Sequence, residues 1–317
     1  MIHNRLQNKI AGSVFTLPIC VVIATALWWL PQRAFSVNCF LGLALCLLTT
    51  YVVMETNAQQ HIIRIRTRMM SCVWLVLTAS LSFMHPLGEP IIAAAFLCVS
   101  YLLLFRCYQR HRPQTIVFHA FLMLSLGSFC APIMLPMAIP FFLYIAIFLR
   151  SLTKKAFWAG VLGLIVPYWC YAVWCFVMGD IQSFVTRLTN MAQFELPSLE
   201  ALKTLPFVWQ VSASLIILLS IVSIVHYLRT NYDDKIRVRM ILYIYMTQTL
   251  MMMAFLLLQP AHYQTTMALL VASASPLIAH YFALTGSILS NIFFVLSVLL
   301  TAGMATLNLW LTSFSIL

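Results

Sequence analysis

Apolar runs of about 17 to 25 residues follow one another along this chain, and the links between them are mostly short and charged or rich in proline. Each run suits an α-helix crossing a hydrocarbon core of about 30 Å. The ten-residue alternation that a membrane barrel requires is missing. Composition agrees, because a chain of 317 residues that is 63% hydrophobic and 8% charged has too little polar surface to cover a water-soluble globule. The expected fold is all-α, a polytopic transmembrane bundle forming a single domain over residues 1–317.

The stretch from Thr115 to Asp180 organises the chain. There two apolar runs meet at a bend punctuated by Pro132, Pro136 and Pro140, the second stops at Arg150, Lys154 and Lys155, and a third run carries the chain back. Eleven helices are expected, at 11–30, 37–54, 69–85, 91–105, 115–131, 134–149, 156–178, 207–228, 238–258, 263–284 and 287–312. The fifth and sixth are short for a full crossing, so a re-entrant pair is the alternative to two spans. The first run starts with Arg5 and Lys9, as a signal peptide would, but it ends in Trp28, Trp29, Leu30 and Pro31 without a small-residue cleavage site and is expected to persist as a helix. In the longest polar link, Asp180 to Pro206, the residues Ile181, Phe184, Val185, Leu188, Met191 and Phe194 recur at helical spacing. They predict an amphipathic helix over 180–194 lying on the outer leaflet, followed by a short helix from Ser198 to Lys203.

A net charge of +11 could suggest nucleic acid, yet the cations sit in the links between helices rather than in a domain of their own. With the N-terminus cytoplasmic and the C-terminus periplasmic, fifteen of the eighteen Lys and Arg residues face the cytoplasm, leaving Arg33, Arg187 and Lys203 outside. This predicts a multi-pass protein of the bacterial inner membrane, with membrane lipids as partners and no nucleic acid. The nine cysteines show no metal or redox spacing and read as small apolar residues.

The spans contain no Asp, Glu, Lys or Arg in their interiors, which argues against a carrier coupled to ions through buried carboxylates. Gln248, between Thr247 and Thr249, is the strongest mid-span polar group and is expected to bond between helices or to line a path. His119, His226 and His280 map to the cytoplasmic ends of their helices and are expected to be amphipathic rings in the headgroup zone. Chemistry is expected at the outer face, where His85 and Glu89 flank a Pro-Gly turn, Asp180 opens the long link, and His262 lies in the turn QPAHYQ. Arg33 follows the Trp28-Trp29 pair there. A carboxylate with a nearby imidazole could activate a hydroxyl, and an arginine could hold a phosphate. The same residue types also populate any solvated helix end.

The segment from Val117 to Pro167 resembles a family of uncharacterised multi-pass inner-membrane proteins from Bacteroidetes, through its small-residue helix, proline-bent helix ending in Arg and glycine-containing third helix. SASPLIAHYFAL resembles that family's other recurrent segment. The same central arrangement resembles glycosyltransferases of the GT-C type, which would imply a polyprenyl-phosphate sugar as partner, an outer-face transfer site and a divalent metal as a possible cofactor. Such enzymes carry an acidic residue in a sizeable first outer loop, and here that link is PQRAFS. Glu89 or Asp180 would have to take its place. The alternatives are a transporter or lipid flippase, and a structural member of an envelope complex with Met251, Met252 and Met253 as docking surface.

Overall fold

The structure, a computed structural model, describes residues 5–30, 36–191 and 205–314. Among these are thirteen α-helices and no strand: α1 (Leu6–Gly12), α2 (Thr16–Trp29), α3 (Val37–Gln60), α4 (Met69–Ala79), α5 (Glu89–Leu104), α6 (Gln114–Cys130), α7 (Ala138–Leu143), α8 (Lys154–Val177), α9 (Ile181–Met191), α10 (Phe207–Thr230), α11 (Ile236–Leu258), α12 (Tyr263–Leu284) and α13 (Ile288–Phe314). Every one of the eleven expected segments is helical. Seven helices are long and apolar enough to cross a membrane, eight if α1 and α2, bent by 93°, count as one span. The protein is a helical bundle whose apolar helices fit the multi-pass membrane type. The shortfall from eleven comes from three short segments: α4, α6 and 132–148. The Arg33 link and the helix expected from Ser198 to Lys203 lie outside the described residues.

Local chemistry sets several helix starts. Ser36 accepts from the Cys39 amide at the head of α3, Thr153 from Ala156 at the head of α8, and Asp180 from Ser183 at the head of α9. The bent pair around the prolines is a hairpin. Phe121 packs on Phe142 at 4.3 Å, and the Gln109 amide donates to the Leu149 carbonyl at 2.9 Å, so the chain leaves one end of the bundle and returns to it. Its second arm is broken into a 3-10 turn, α7 and one π turn, a pattern common where a helix accommodates strain or function.

The centre of the bundle is α12. Its apolar window is 94% buried, against 22% for α8, and α4, α5, α10 and α11 pack around it. Ala268, Ala272, Ser273, Ala274, Ser275, Ala279 and Ala283 make that possible, because small side chains let neighbouring backbones approach a helix from all sides. A second layer consists of α2 and α3, which lie against α4 and α5, and of α6, which lies on α5; α8 in turn covers α6. The outermost surface of α8 is apolar and aromatic. Phe157 and Trp158 are exposed near one end, Trp174 and Phe176 near the other, and the rise from Phe157 to Phe176 is about 28 Å of helix.

The links gather at two ends. At the basic end, Arg237 donates to Gln60 at 2.6 Å, Arg106 to Gln59 at 2.9 Å, Thr67 to the Ala11 carbonyl at 2.6 Å, and Arg64 meets Asp233. At the far end, Leu87 donates to the Asn38 carbonyl, Tyr263 to the Trp209 carbonyl, and Thr265 to Glu89. The Met251–Met253 face expected to dock a partner is instead turned inward: Met252 and Met253 are buried and Met251 is half-buried, because α11 packs this side on α12.

Close approach decides one glycine. A Cβ built at Gly42 would stand 2.0 Å from the His85 carbonyl oxygen, whereas nothing lies within 4 Å of one at Gly303. Gly42→Val should therefore lower stability by about 1–3 kcal/mol or more, read as a fall in melting temperature in detergent, while Gly303→Ala should be neutral or raise it by up to ~1 kcal/mol. Equal melting temperatures for the two variants would contradict this packing.

Candidate functional site

Of the residues that sequence places at the outer face, His85, Glu89, Asp180 and His262 lie at the far end but do not converge, and Arg33 lies outside the described residues. His85 is buried at 2% exposure, stacks on Trp28 with ring centroids 4.4 Å apart, and has Nε2 3.0 Å from the Ala79 carbonyl oxygen. It is a packing residue under the link. Burial pushes its pKa down to about 4, with the Ala79 bond opposing the fall. Glu89 is exposed and accepts from Thr265 at 2.8 Å, which ties the start of α5 to α12. His262 is half-exposed in the single 3-10 turn before α12. Asp180 is exposed and serves as the cap of α9, accepting from both the amide and the hydroxyl of Ser183. It lines a cleft to which neither His85, Glu89 nor His262 contributes.

That cleft is part of a notch whose origin is a difference in helix length. α6 and α8 run side by side in the same direction, as the Ser125 bond to the Leu164 carbonyl and the Phe129–Tyr168 stack at 4.6 Å show. Gly163 permits the close approach: a Cβ there would lie 2.5 Å from the Phe118 carbonyl oxygen. α6 ends at Cys130, level with Tyr168 and Tyr171, while α8 continues to Val177. Those further six to nine residues rise about 10 Å and leave a notch above the end of α6. The amphipathic helix α9 roofs it.

Two cavities meet in the notch. One, of about 360 Å³, is apolar and lies between α6 and α8, lined by Leu122, Leu126, Phe129, Val166, Pro167 and Tyr171, with Cys170 at its side. The other, of about 380 Å³, is lined by Asp180, Gln182, Ser183, Thr186 and Arg187 of the α9 segment and again by Tyr171. Arg187 stands where they join. Its guanidinium lies 5.2 Å from the Phe129 ring centroid and 5.6 Å from that of Tyr171, and one of its terminal nitrogens donates to the Phe129 carbonyl at the end of α6. A cation suits the negative end of a helix dipole and the faces of aromatic rings. Its Nε is buried and makes no hydrogen bond.

Gln248 is fully buried and accepts from the Tyr144 hydroxyl at 2.9 Å, which joins α11 to the hairpin, while its amide nitrogen has no partner. No group of three His, Cys, Asp or Glu residues comes together among the described residues. Asp180 is the one such residue lining the cleft, which does not fit a held divalent ion.

The largest departure from expectation is at the basic end. His280 is not a ring in a headgroup zone: it is buried at 2% exposure with Nε2 3.0 Å from Asp234 Oδ2, and that carboxylate, although it belongs to a charged link, is equally buried. Sequence gave a faint signal. Asp234 follows a second acid in an otherwise basic link, and His280 sits seven residues after Ser273 on a small-residue helix.

Lowering the pH through the His85 range gives a signed test. With the folded pKa depressed to about 4, the stability tied to neutral His85 is complete above pH 6.5 and drains away as pH falls from 6.5 to about 4. The loss should approach roughly 3 kcal/mol, and His85→Gln should flatten that part of the melting-temperature profile. A variant with the unchanged slope would show that His85 does not titrate in this way.

Compared with known proteins, the sequence matches no family model and no curated protein, so the site is read from its own residues.

Proposed function

We propose that this multi-pass protein binds a phosphate-bearing membrane lipid in the notch between α6, α8 and α9, and acts as a carrier or flippase for it. The observation that supports this most directly is the pair of adjoining cavities, apolar toward the helix surface and polar under α9, with Arg187 at their junction. An acyl or prenyl chain suits the apolar part, since aliphatic and aromatic walls are what such a chain replaces its neighbours with. A phosphate suits the guanidinium, whose fixed fork matches its oxygens. The apolar face of α9, with Ile181, Val185 and Leu188 exposed, suits a helix seated at the headgroup level. Lopsided basic links favour the notch facing the periplasm of a bacterial inner membrane.

A second reading has one observation in its favour. Asp180 lines the same cleft as Arg187, which is where a GT-C-like transferase acting on a polyprenyl-phosphate sugar would need a carboxylate. The reading is weaker because Asp180 is already engaged by Ser183, and because fold-level likeness does not establish a reaction.

Purification from native membrane in mild detergent, followed by native mass spectrometry, tests the proposal. Arg187→Gln and the groove-filling Leu126→Trp should each reduce retained phospholipid or prenyl phosphate several-fold, with melting temperature little changed. Asp180→Asn should leave retention intact. Undiminished retention in both of the first two variants would remove the notch as the binding site. Normal retention with lost sugar transfer in Asp180→Asn would establish the second reading over the first.

A further inference from the structure

The polar half of the notch carries one charge of each sign. Among the described residues lining the two cavities, Arg187 is the one cation and Asp180 the one anion. Their spacing in sequence is close to two helical turns, which puts both on one side of the α9 segment with a rise of about 10 Å between them. No ion pair joins them among the described residues. Each is instead held by groups of its own.

Asp180 is fixed through main chain and side chain alike. The chain leaves α8 through Gly179, whose φ of 75° lies in the left-handed region that glycine adopts readily, and the Asp180 amide then donates to the Cys175 carbonyl at 2.9 Å. The carboxylate accepts from the Ser183 amide at 3.2 Å and from the Ser183 hydroxyl. The start of α9, where an anion would otherwise find backbone donors, is therefore occupied by a carboxylate of the chain itself. Arg187, held over Phe129 and Tyr171, is left as the group of the cleft that attracts a phosphate. With a lipid's phosphate on Arg187 and its chain in the apolar cavity, whatever the headgroup carries beyond that phosphate extends under α9 toward Asp180.

Resting on the notch as the lipid site, we propose that Asp180 is its specificity determinant: it admits headgroups with a single phosphate and rejects diphosphates. On Arg187 alone a diphosphate would bind the tighter, because it brings more negative charge to the same cation. A second phosphate, however, lies on the Asp180 side of the first, and like charges then meet inside a cleft of about 380 Å³. Hydroxyl and amide groups meet no such repulsion, and the side-chain oxygens of Gln182, Ser183 and Thr186 offer them acceptors. Selection of this kind comes from a repulsive element set against the competitor, with no added contact to the preferred ligand.

Competition on the full-length protein in mild detergent tests this, with farnesyl monophosphate and farnesyl diphosphate at equal concentration and bound lipid read by native mass spectrometry. The two probes share a chain and differ by one phosphate, so their ratio isolates the headgroup. The wild-type protein should retain the monophosphate several-fold over the diphosphate, and Asp180→Asn, whose amide oxygen can still cap α9, should erase or reverse that preference. Gln182→Glu adds a carboxylate to the same cleft without touching the cap and should strengthen the preference, which keeps the test open if Asp180→Asn folds poorly. Arg187→Gln separates this inference from the reading beneath it. Loss of both lipids in Arg187→Gln, with an unchanged ratio in Asp180→Asn or in Gln182→Glu, would overturn the selectivity and leave the notch as the lipid site. Full retention of both lipids in Arg187→Gln would remove the notch and the selectivity with it. A wild-type protein that retains the diphosphate as well as the monophosphate, or better, would also overturn the proposal.

Discussion

Enclosure of α12 is the constraint on which the other arrangements depend. A helix wrapped on all sides cannot satisfy polar groups with water or hide them against lipid, so every polar side chain on it must be bonded internally or left at a cost. Ser273 and Ser275 meet this by bonding to carbonyls one turn back along their own helix, Ser273 to Leu269 and Leu270, Ser275 to Val271. His280 is instead bonded outside its own helix. Its partner is the Asp234 carboxylate, which holds the α10–α11 link together with the Asn231–Tyr243 and Arg64–Asp233 contacts.

The same enclosure explains how the remaining helices divide their labour. α4, α5, α10 and α11 face α12 with one side and a second layer or lipid with the other, so they carry mixed surfaces. α8 does not touch this centre closely; it leans on α6, which leans on α5. A helix attached through an intermediary, with most of its surface directed outward, is free to end beyond its neighbour. The notch above α6 is the result, and a lateral cavity can form there because no packing demand of the core has to be met.

Helix positions were legible in the sequence because hydrophobic length and charged links are local properties. All eleven expected segments are helical, and the amphipathic α9 lies where the periodicity of Ile181, Phe184, Val185 and Leu188 put it. Depth in the bundle was less accessible. Three consecutive methionines at 251–253 look like a surface for a partner when read along the chain, and only the packing of α11 on α12 turns them inward. Small residues at seven positions of α12 were the available sign of enclosure. The site residues were harder still, since Glu89, His85, Asp180 and His262 share an end of the bundle yet belong to separate contacts. Sharing an end is a one-dimensional statement, and a catalytic group requires convergence in three.

Arg187 and Asp234 expose the limit of reading charge by location alone. Both belong to links, where ionisable residues are ordinarily solvated and carry little meaning. In each case tertiary packing has changed the value of the charge: Arg187 is drawn over two aromatic rings by the unequal lengths of α6 and α8, and Asp234 is drawn into the core by an imidazole with no other donor target. Removing either partner of a buried pair such as Asp234 and His280 would cost about 1–3 kcal/mol, because the survivor would be left buried without its hydrogen bond. An exposed ion pair such as Arg64 with Asp233, by contrast, is worth about 0–1 kcal/mol. The charges that matter in this protein are those that the bundle has moved out of the solvent their sequence position would assign them.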